Sequence, residues 1–122
     1  MKIITFMEYN MTTLDTTTIE TAVMEAFAAA KEASLSEFNR LGGDSMSCGF
    51  AWVTVKPGTS KVARYLKAIG EGKAAYGGGT QIWNPGKLNV QNIDIKEEGA
   101  YAFARVLRAK LGVKVIVDSR LD

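Results

Sequence analysis

The chain has 122 residues, of which 47% are hydrophobic and 23% charged, and this composition predicts one soluble globular domain over 1–122. It contains no histidine, which excludes Ser-His-Asp and Cys-His catalysis and the usual zinc sites, and its one cysteine excludes an intramolecular disulfide. No apolar run approaches the roughly 20 residues that span a bilayer, so we expect no membrane contact. A single cysteine fits a reducing cytosol, and we therefore expect a cytoplasmic protein.

Charge is distributed unevenly along the chain. Residues 1–47 carry three basic and seven acidic side chains, whereas 48–122 carry twelve basic and six acidic ones, which gives net charges of −4 and +6. This asymmetry favours an anionic partner for the second part of the chain. A chance scatter of surface charges explains it equally well.

The first 43 residues predict a strand followed by a long helix. Residues 2–9 contain a short alternation of apolar and polar side chains, as in a strand. Thr17 and Glu20 match a capping box, and apolar positions near the 3.6-residue period then continue to about residue 40, where Gly42 supplies a stop.

The length of this helix suggests an interface. A helix over 17–41 is longer than a small sheet can cover, so its alanine-rich overhang suits a partner helix in a homodimer or larger oligomer. A long helix that curves over its own core is an equal alternative.

Residues 48–56 predict the central strand of the protein. Both alternating faces of this segment are apolar and rich in β-branched and aromatic residues, which is typical of a strand covered on both sides. Pro57 ends it, because proline cannot donate to a strand ladder. Cys48 has no histidine to activate it and lies beside apolar residues, so we interpret it as a buried structural residue.

The remaining chain completes an α+β pattern. From residue 48 the predicted order is strand, helix, strand, strand, helix, strand, which is the split β-α-β arrangement of the ferredoxin-like fold. We predict a two-layer ferredoxin-like core over 48–118, with strands 48–56 and 80–84 in the centre and 1–43 as an N-terminal extension. The other predicted elements are a helix capped by Thr59 or Ser60 and ending at Gly70, a glycine-turn hairpin joining 73–76 to 80–83, a helix that begins with a capping signal at Asp94–Glu97 and reaches about Leu111, a strand over 113–117, and a tail over 118–122.

The glycine turn after Tyr76 is the first candidate ligand-binding element. Glycines such as Gly78 let a ligand approach the backbone, and exposed amides can hold phosphate. The turn is not a Walker loop, because it lies in a hairpin and no Gly-Lys-Ser/Thr follows. A purely structural turn is the alternative.

Trp83, Gln91 and Asn92 form the second candidate element. An indole can stack on a base, and side-chain amides can bind the polar edge of that base. The alternative is a core tryptophan beside ordinary loop amides.

Tyr101, Arg105 and Arg108 form the third candidate element, because their spacing places them on one face of a helix. Guanidinium groups make bidentate bonds to phosphate. A solvated basic face explains each residue singly, but together with the glycine turn and Trp83 they predict a site for a nucleotide or other phosphate-bearing small ligand. We predict no catalytic residue, metal or cofactor.

Part of the chain resembles a family of small proteins encoded by bacteriophages. The resemblance lies in the segments CGFAWV at 48–53, YGG at 76–78, IW at 82–83, AYAFARVL at 100–107 and SRLD at 119–122, although Ser47 stands where the family usually has proline. In size and composition the chain is also similar to phage sponges that oppose the Thoeris defence by sequestering cyclic ADP-ribose signals. The resemblance implies a phage origin and action in the bacterial cytoplasm.

The sequence therefore favours a non-enzymatic protein that captures a cyclic-nucleotide or ADP-ribose-type signal to counter host defence. An inhibitor that binds a host protein or nucleic acid is the alternative, since paired aromatics on central strands are also found in RNA-binding sheets. The sequence motif of those sheets is absent here. An enzyme that uses only carboxylates and arginines is a third hypothesis.

Overall fold

The structure, a computed structural model, describes residues 15–122 as helices packed on an antiparallel sheet. The elements in this part of the chain are α1 (Thr16–Leu41), β1 (Gly49–Lys56), α2 (Lys61–Ala68), β2 (Lys73–Ala74), β3 (Thr80–Trp83), α3 (Ile93–Leu111) and β4 (Lys114–Leu121). The strands lie in the order β2-β3-β1-β4, and every neighbouring pair is antiparallel. The protein is α+β, as predicted, while the strand predicted over 2–9 lies outside the described residues.

Strands β1 and β3 occupy the centre of the sheet, which confirms their predicted placement. Strand β4 pairs with β1 along its whole length, from Gly49 opposite Leu121 to Lys56 opposite Lys114. The predicted tail over 118–122 is therefore mostly strand. The prediction ended too early because the continuous apolar run stops at Val117, whereas backbone pairing with β1 continues to Leu121.

The buried core lies on one face of the sheet. In β1 that face carries Ala51, Val53 and Val55, which are at most 1% exposed. Burial of each large apolar side chain stabilises the fold by about 1.5–3 kcal/mol. The helices contribute Ile19, Ala22, Val23, Ala26, Ala30, Val62, Ala63, Leu66, Ala100, Phe103, Ala104, Leu107 and Leu111 to the same core.

The opposite face of the sheet, here called the open face, is only partly buried. Phe50 and Trp52 alternate with the core residues of β1 and are half-buried, and Trp83 of β3 is 46% exposed. Among residues 15–122 the helices contribute their buried residues to the other face. The prediction that both faces of β1 are covered holds for the core face and in part for the open face, where Thr54 is buried and Phe50, Trp52 and Lys56 are half-buried.

Each long helix begins one or more residues before the predicted cap. The Asp15 carboxylate accepts the backbone N–H of Thr18 at 2.8 Å and caps α1, so the capping box at Thr17 is wrong. The side chain of Asn92, not the Asp94 signal, caps α3. Asp and Asn are as good at this position as Ser or Thr, so neighbouring polar residues compete for it. The predicted stops are confirmed, since Gly42 and Gly112 follow the two helices in the left-handed region at φ +79° and +63°.

Helix α1 packs against α3. The rings of Phe27 and Phe103 lie 4.7 Å apart, and the hydroxyl of Ser34 donates to the carbonyl of Ile95 at 2.8 Å. The side of α1 that faces away from α3 is exposed and includes Met24, which is 67% exposed. Self-association through this helix stays a prediction. No helix in the described part of the chain has the length and apolar character needed to cross a membrane.

Helix α2 and the hairpin are shorter than predicted. Ser60 caps α2 by accepting the N–H of Ala63 at 3.1 Å, and the helix ends at Ala68. Ile69 is 45% exposed because it lies beyond the last turn of the helix. Strand β2 has two residues, and the glycine turn before β3 is confirmed.

Candidate ligand-binding site

Three rings on the open face form an aromatic cluster, defined as Phe50, Trp52 and Trp83. The Trp52 and Trp83 rings are stacked, with centroids 4.5 Å apart and planes inclined by 26°. The Phe50 ring meets that of Trp83 edge-on, at 6.1 Å and 77°. Such contacts stabilise by about 0.5–1.5 kcal/mol beyond the area that they bury. The cluster therefore presents a preformed aromatic surface.

Strand register places these rings together. Trp52 and Trp83 are direct partners in the β1–β3 ladder, so their side chains project from the same face. Phe50 precedes Trp52 by two residues and shares that face. Next to Trp83 in sequence, Ile82 points the other way and is 1% exposed. The indole N–H of Trp83 donates to the Gln81 side chain at 3.2 Å, which orients the ring.

Two cations flank the Phe50 end of the cluster. The Arg120 guanidinium carbon lies 5.6 Å from the centroid of the Phe50 ring, and the Lys96 ammonium lies 5.2 Å from it. Lys96 also donates to the carbonyl of Gly49 at 2.8 Å. Arg120 is exposed and is the ladder partner of Phe50. Positive charge is thus held beside an aromatic surface, which suits an anionic ligand with a ring.

The sequence analysis assigned none of Phe50, Trp52, Lys96 and Arg120 to the ligand-binding site. The available signal was the period-two alternation of Phe50 and Trp52 with small apolar residues in β1, which predicts one aromatic face. The position of Lys96 depends on where the first turn of α3 meets the sheet, and no local pattern encodes that placement.

Asn92, a predicted ligand residue, has a structural role. It is 2% exposed, and its side-chain oxygen accepts the backbone N–H of Ile95 at 3.0 Å. Its amide nitrogen donates to the carbonyls of Ser45 and Met46, at 3.3 and 3.0 Å. All of these groups belong to the chain, so Asn92 joins the loop before β1 to α3 and offers little to a ligand.

Gln91 remains exposed. Its backbone N–H donates to the Asp44 carboxylate at 2.9 Å, and its side-chain oxygen accepts the thiol of Cys48 at 3.3 Å. Cys48 is half-buried rather than buried, since it precedes β1 at the margin of the sheet. These contacts stabilise the loop and leave only part of the Gln91 amide for a ligand.

Tyr101, Arg105 and Arg108 lie on one exposed side of α3, as predicted. Arg105 and Arg108 border an open groove of about 620 Å³ with Lys110. The Arg108 Nε–H donates to the carbonyl of Val115 at 3.2 Å, which ties this guanidinium to β4. Helix α3 packs on the core face and Trp83 lies on the open face, so the structure does not bring these arginines and the indole together.

Tyr76 and Gly78 lie in the hairpin turn, at the other end of β3 from Trp83. The Tyr76 side chain is fully exposed, and Gly78 has φ +103°, which favours glycine. A Cβ on Gly79 would lie 3.0 Å from Cγ of Lys56, which places the turn beside the far end of β1. The turn is thus separated from the aromatic cluster by most of a strand length.

The described residues offer one further negative result. In residues 15–122, no three His, Cys, Asp or Glu side chains lie close enough together to hold a metal ion. The arrangement on the open face can stack on a planar ring and attract an anion. Compared with known proteins, the chain matches no protein-family model, no curated protein and no solved structure.

Proposed function

We propose that this protein binds, without converting it, a ligand that carries a nucleobase and a phosphate group. The ligand lies on the open face, where its base stacks on the aromatic cluster. One observation carries the proposal: Trp52 and Trp83 stack on each other and Trp83 remains 46% exposed. Contiguous exposed apolar surface of this kind marks interaction sites.

The exposed indole supports base recognition. Every nucleobase has a flat π-surface, and stacking of a base on an aromatic side chain contributes about 1–3 kcal/mol to binding. The hydrogen bond from Trp83 to Gln81 fixes the indole before a ligand arrives, which reduces the ordering that binding requires. Gln81 lies across from Thr54 on this face and adds a polar side chain beside the rings.

The cations beside Phe50 support phosphate recognition. The Arg120 guanidinium offers a planar fork of donors that matches a phosphate group, and Lys96 adds a second positive charge on the same ring. The absence of histidine from the whole sequence removes the most common general base, which favours capture over conversion.

This ligand class covers both predictions made from the sequence. Cyclic nucleotides and ADP-ribose derivatives carry a base and phosphate, and so do the nucleic acids of the alternative hypothesis. We propose the biological setting implied by the resemblance over 47–122, namely a phage protein that captures a host nucleotide in the bacterial cytoplasm. An inhibitor of a host protein remains the alternative, in which the open face contacts that protein.

We also propose that the core belongs to the ferredoxin-like arrangement. The elements from Gly49 to Leu121 follow the order strand, helix, strand, strand, helix, strand. Strand β3 lies between β1 and β2, and β1 lies between β3 and β4, so each β-α-β unit is split by another strand.

Calorimetric titration tests the binding function. The full chain is titrated with cyclic AMP, ADP-ribose and an eight-residue oligouridylate, and Trp83→Ala is compared with the wild type. We expect at least one ligand to bind and to lose about 5- to 100-fold in affinity in the variant, because one stacking contact is removed. Arg105→Ala is the matched control and leaves affinity unchanged, since Arg105 belongs to the α3 side.

Three outcomes would contradict the proposal. Equal affinity of Trp83→Ala and wild type removes the open face as the site, and a loss in Arg105→Ala moves the site to α3. Absence of binding by every ligand at high micromolar concentration rules out the function. Recovery of an altered ligand after incubation rules out binding without conversion.

A further inference from the structure

The open face carries cations at both ends of β1. At one end Phe50 is paired with Arg120, and at the other end Lys56 is paired with Lys114. Directly opposed residues share a face, so both pairs belong to the open face. Lys73 of β2 is paired with Gln81 of β3 and extends the positive charge to the edge of the sheet. The face is therefore basic on both sides of the aromatic cluster.

The separation of these charges exceeds the reach of one nucleotide. Lys56 lies four positions after Trp52, which corresponds to about 13 Å along a strand. A mononucleotide that stacks on the cluster places its phosphate near Arg120 and leaves the pair Lys56–Lys114 without an anion. A ligand with several phosphates in a row satisfies both ends at once.

We infer that the ligand of the open face is single-stranded RNA that lies along β1; this inference rests on the proposed function. One base stacks on the exposed Trp83 ring, a neighbouring phosphate reaches Arg120, and phosphates further along the strand reach Lys56 and Lys114. Tyr76, which is fully exposed in the turn beside Lys56, supplies a further ring at that end. A four-stranded sheet with exposed aromatic residues on its central strands is a known geometry for single-stranded RNA.

A single strand fits this face better than a duplex. In a duplex the bases stack on one another and present their edges and phosphates, so exposed rings gain no stacking contact. Here the most exposed part of the cluster is the indole of Trp83, and it offers a flat surface. The cluster therefore selects unpaired bases, while the lysines alone attract either form.

Asp118 favours RNA over DNA. It is the ladder partner of Trp52, it is exposed, and no described side chain donates a hydrogen bond to it. A carboxylate repels the phosphates of either polymer, but it accepts a hydrogen bond from a ribose 2′-hydroxyl, which deoxyribose lacks. Its position between Arg120 and Ile116 along the same face places it beside the stacked bases.

Fluorescence anisotropy with labelled oligonucleotides tests the inference. The probes are octauridylate, its deoxyuridine counterpart and an RNA duplex of equal length, with unlabelled UMP as competitor. We expect octauridylate to bind at least 10-fold more tightly than the deoxy strand, the duplex or UMP. The double variant Lys56→Ala/Lys114→Ala weakens octauridylate binding at least 5-fold and lowers the slope of log affinity against log salt by about 1.4.

Two matched variants separate specific contacts from general charge. Lys31→Ala/Lys67→Ala removes the same charge from α1 and α2, on the core side of the sheet, and leaves octauridylate binding within 2-fold of the wild type. Asp118→Ala strengthens binding of the deoxy strand and brings the RNA-to-DNA affinity ratio to within 3-fold of one. Thermal unfolding shows that each variant is folded before it is titrated.

The possible results distinguish this inference from the proposed function. If UMP binds as tightly as octauridylate and Lys56→Ala/Lys114→Ala has no effect, the open face binds a small nucleotide, and the RNA inference is wrong while the proposed function stands. If no nucleotide or oligonucleotide binds, both fail. Equally tight binding of the duplex also overturns the inference, because the open face then recognises only phosphate charge. The inference is likewise wrong if light scattering shows a dimer that Trp83→Ala dissociates, because the open face then binds a second copy of the chain.

Discussion

The side-chain oxygen of Asn92 accepts the backbone N–H of Ile95 at 3.0 Å, which makes Asn92 the N-terminal cap of α3. Its side-chain amide nitrogen donates hydrogen bonds to the carbonyls of Ser45 and Met46. We predict that Asn92→Ala lowers the free energy of unfolding by about 2–4 kcal/mol, because it removes a cap and leaves buried polar groups without partners. Urea denaturation followed by circular dichroism measures the change.

The neighbouring residue provides the control for this prediction. Gln91 is exposed, so Gln91→Ala changes the free energy of unfolding by no more than about 0.5 kcal/mol. Ligand affinity is measured for both variants at a temperature where both are folded. A stable Asn92→Ala variant that loses nucleotide binding would restore Asn92 to the site and contradict the structural role.

Comparison of Trp83 with Asn92 shows which features a sequence can reveal. Apolar periodicity and glycine stops depend on neighbours in the chain, so the α+β class, the central strands and the C-terminal ends of both long helices were predictable. Exposure of Trp83 was not, because an alternating aromatic strand packs equally well under a helix or against a ligand. The role of Asn92 depends on a loop more than 40 residues away in the chain, and local pattern cannot encode that contact.

The candidate site was also only partly predictable from the sequence. Tyr101, Arg105 and Arg108 were correctly placed on one side of α3, because helical spacing fixes their relation to one another. Their relation to Trp83 depends on which face of the sheet α3 covers. Helix α3 covers the face on which residues such as Phe103 and Val53 are buried together. The residue pattern of each element alone does not show which faces pack against each other.

Gly77 and Gly79 provide a matched pair in the hairpin turn. Both have positive φ, +90° and +91°, so alanine is strained equally at either position. A Cβ on Gly77 meets open space, whereas one on Gly79 would lie 2.7 Å from Cγ2 of Thr54. We predict that the free energy of unfolding falls by about 1 kcal/mol in Gly77→Ala and by about 2–4 kcal/mol in Gly79→Ala, because in Gly79→Ala the steric clash with Thr54 adds to the backbone strain.

The difference in free energy of unfolding between Gly77→Ala and Gly79→Ala measures the contact of the turn with Thr54. Thermal and urea unfolding of the pair under identical conditions gives it directly, with wild type as the reference. Equal losses would mean that the turn does not press against β1 as described. A large loss of nucleotide affinity in a stable Gly77→Ala variant would instead favour the turn as part of the site.

Ser34 and Gly99 meet where α1 crosses α3. A Cβ on Gly99 would collide with the Ser34 hydroxyl and would lie 3.2 Å from the carbonyl oxygen of Ala30. Alanine normally stabilises an exposed helix interior relative to glycine by about 0.5–1 kcal/mol. Here we predict the opposite sign, with Gly99→Ala destabilising by about 1–3 kcal/mol.

A double-mutant cycle tests the origin of that loss. Ser34→Ala alone removes the hydrogen bond to Ile95 and is expected to destabilise by about 1 kcal/mol. In Ser34→Ala/Gly99→Ala the nearest obstacle is absent, so the combined loss is smaller than the sum of the single losses. Strict additivity would show that the two side chains do not share one space.

Asp15 makes the stability of α1 dependent on pH. The backbone N–H of Thr18, and then its side chain, hold the pKa of the Asp15 carboxyl below its ordinary value. The folded pKa is lower than the unfolded one, so the cap contributes its full stability above the ordinary value of about 4 and loses it as pH falls through the folded pKa. We predict from urea unfolding that wild type is more stable than Asp15→Ala at pH 7 and 5 and that the difference in free energy of unfolding shrinks toward pH 3.

Asp15→Asn is the control for the charge of Asp15. Its amide oxygen still accepts the Thr18 N–H but does not titrate, so the difference in free energy of unfolding between Asp15→Asn and Asp15→Ala stays constant over the same pH range. A gap between wild type and Asp15→Ala that is equally large at pH 3 and pH 7 would show that the carboxylate charge has no part in capping α1.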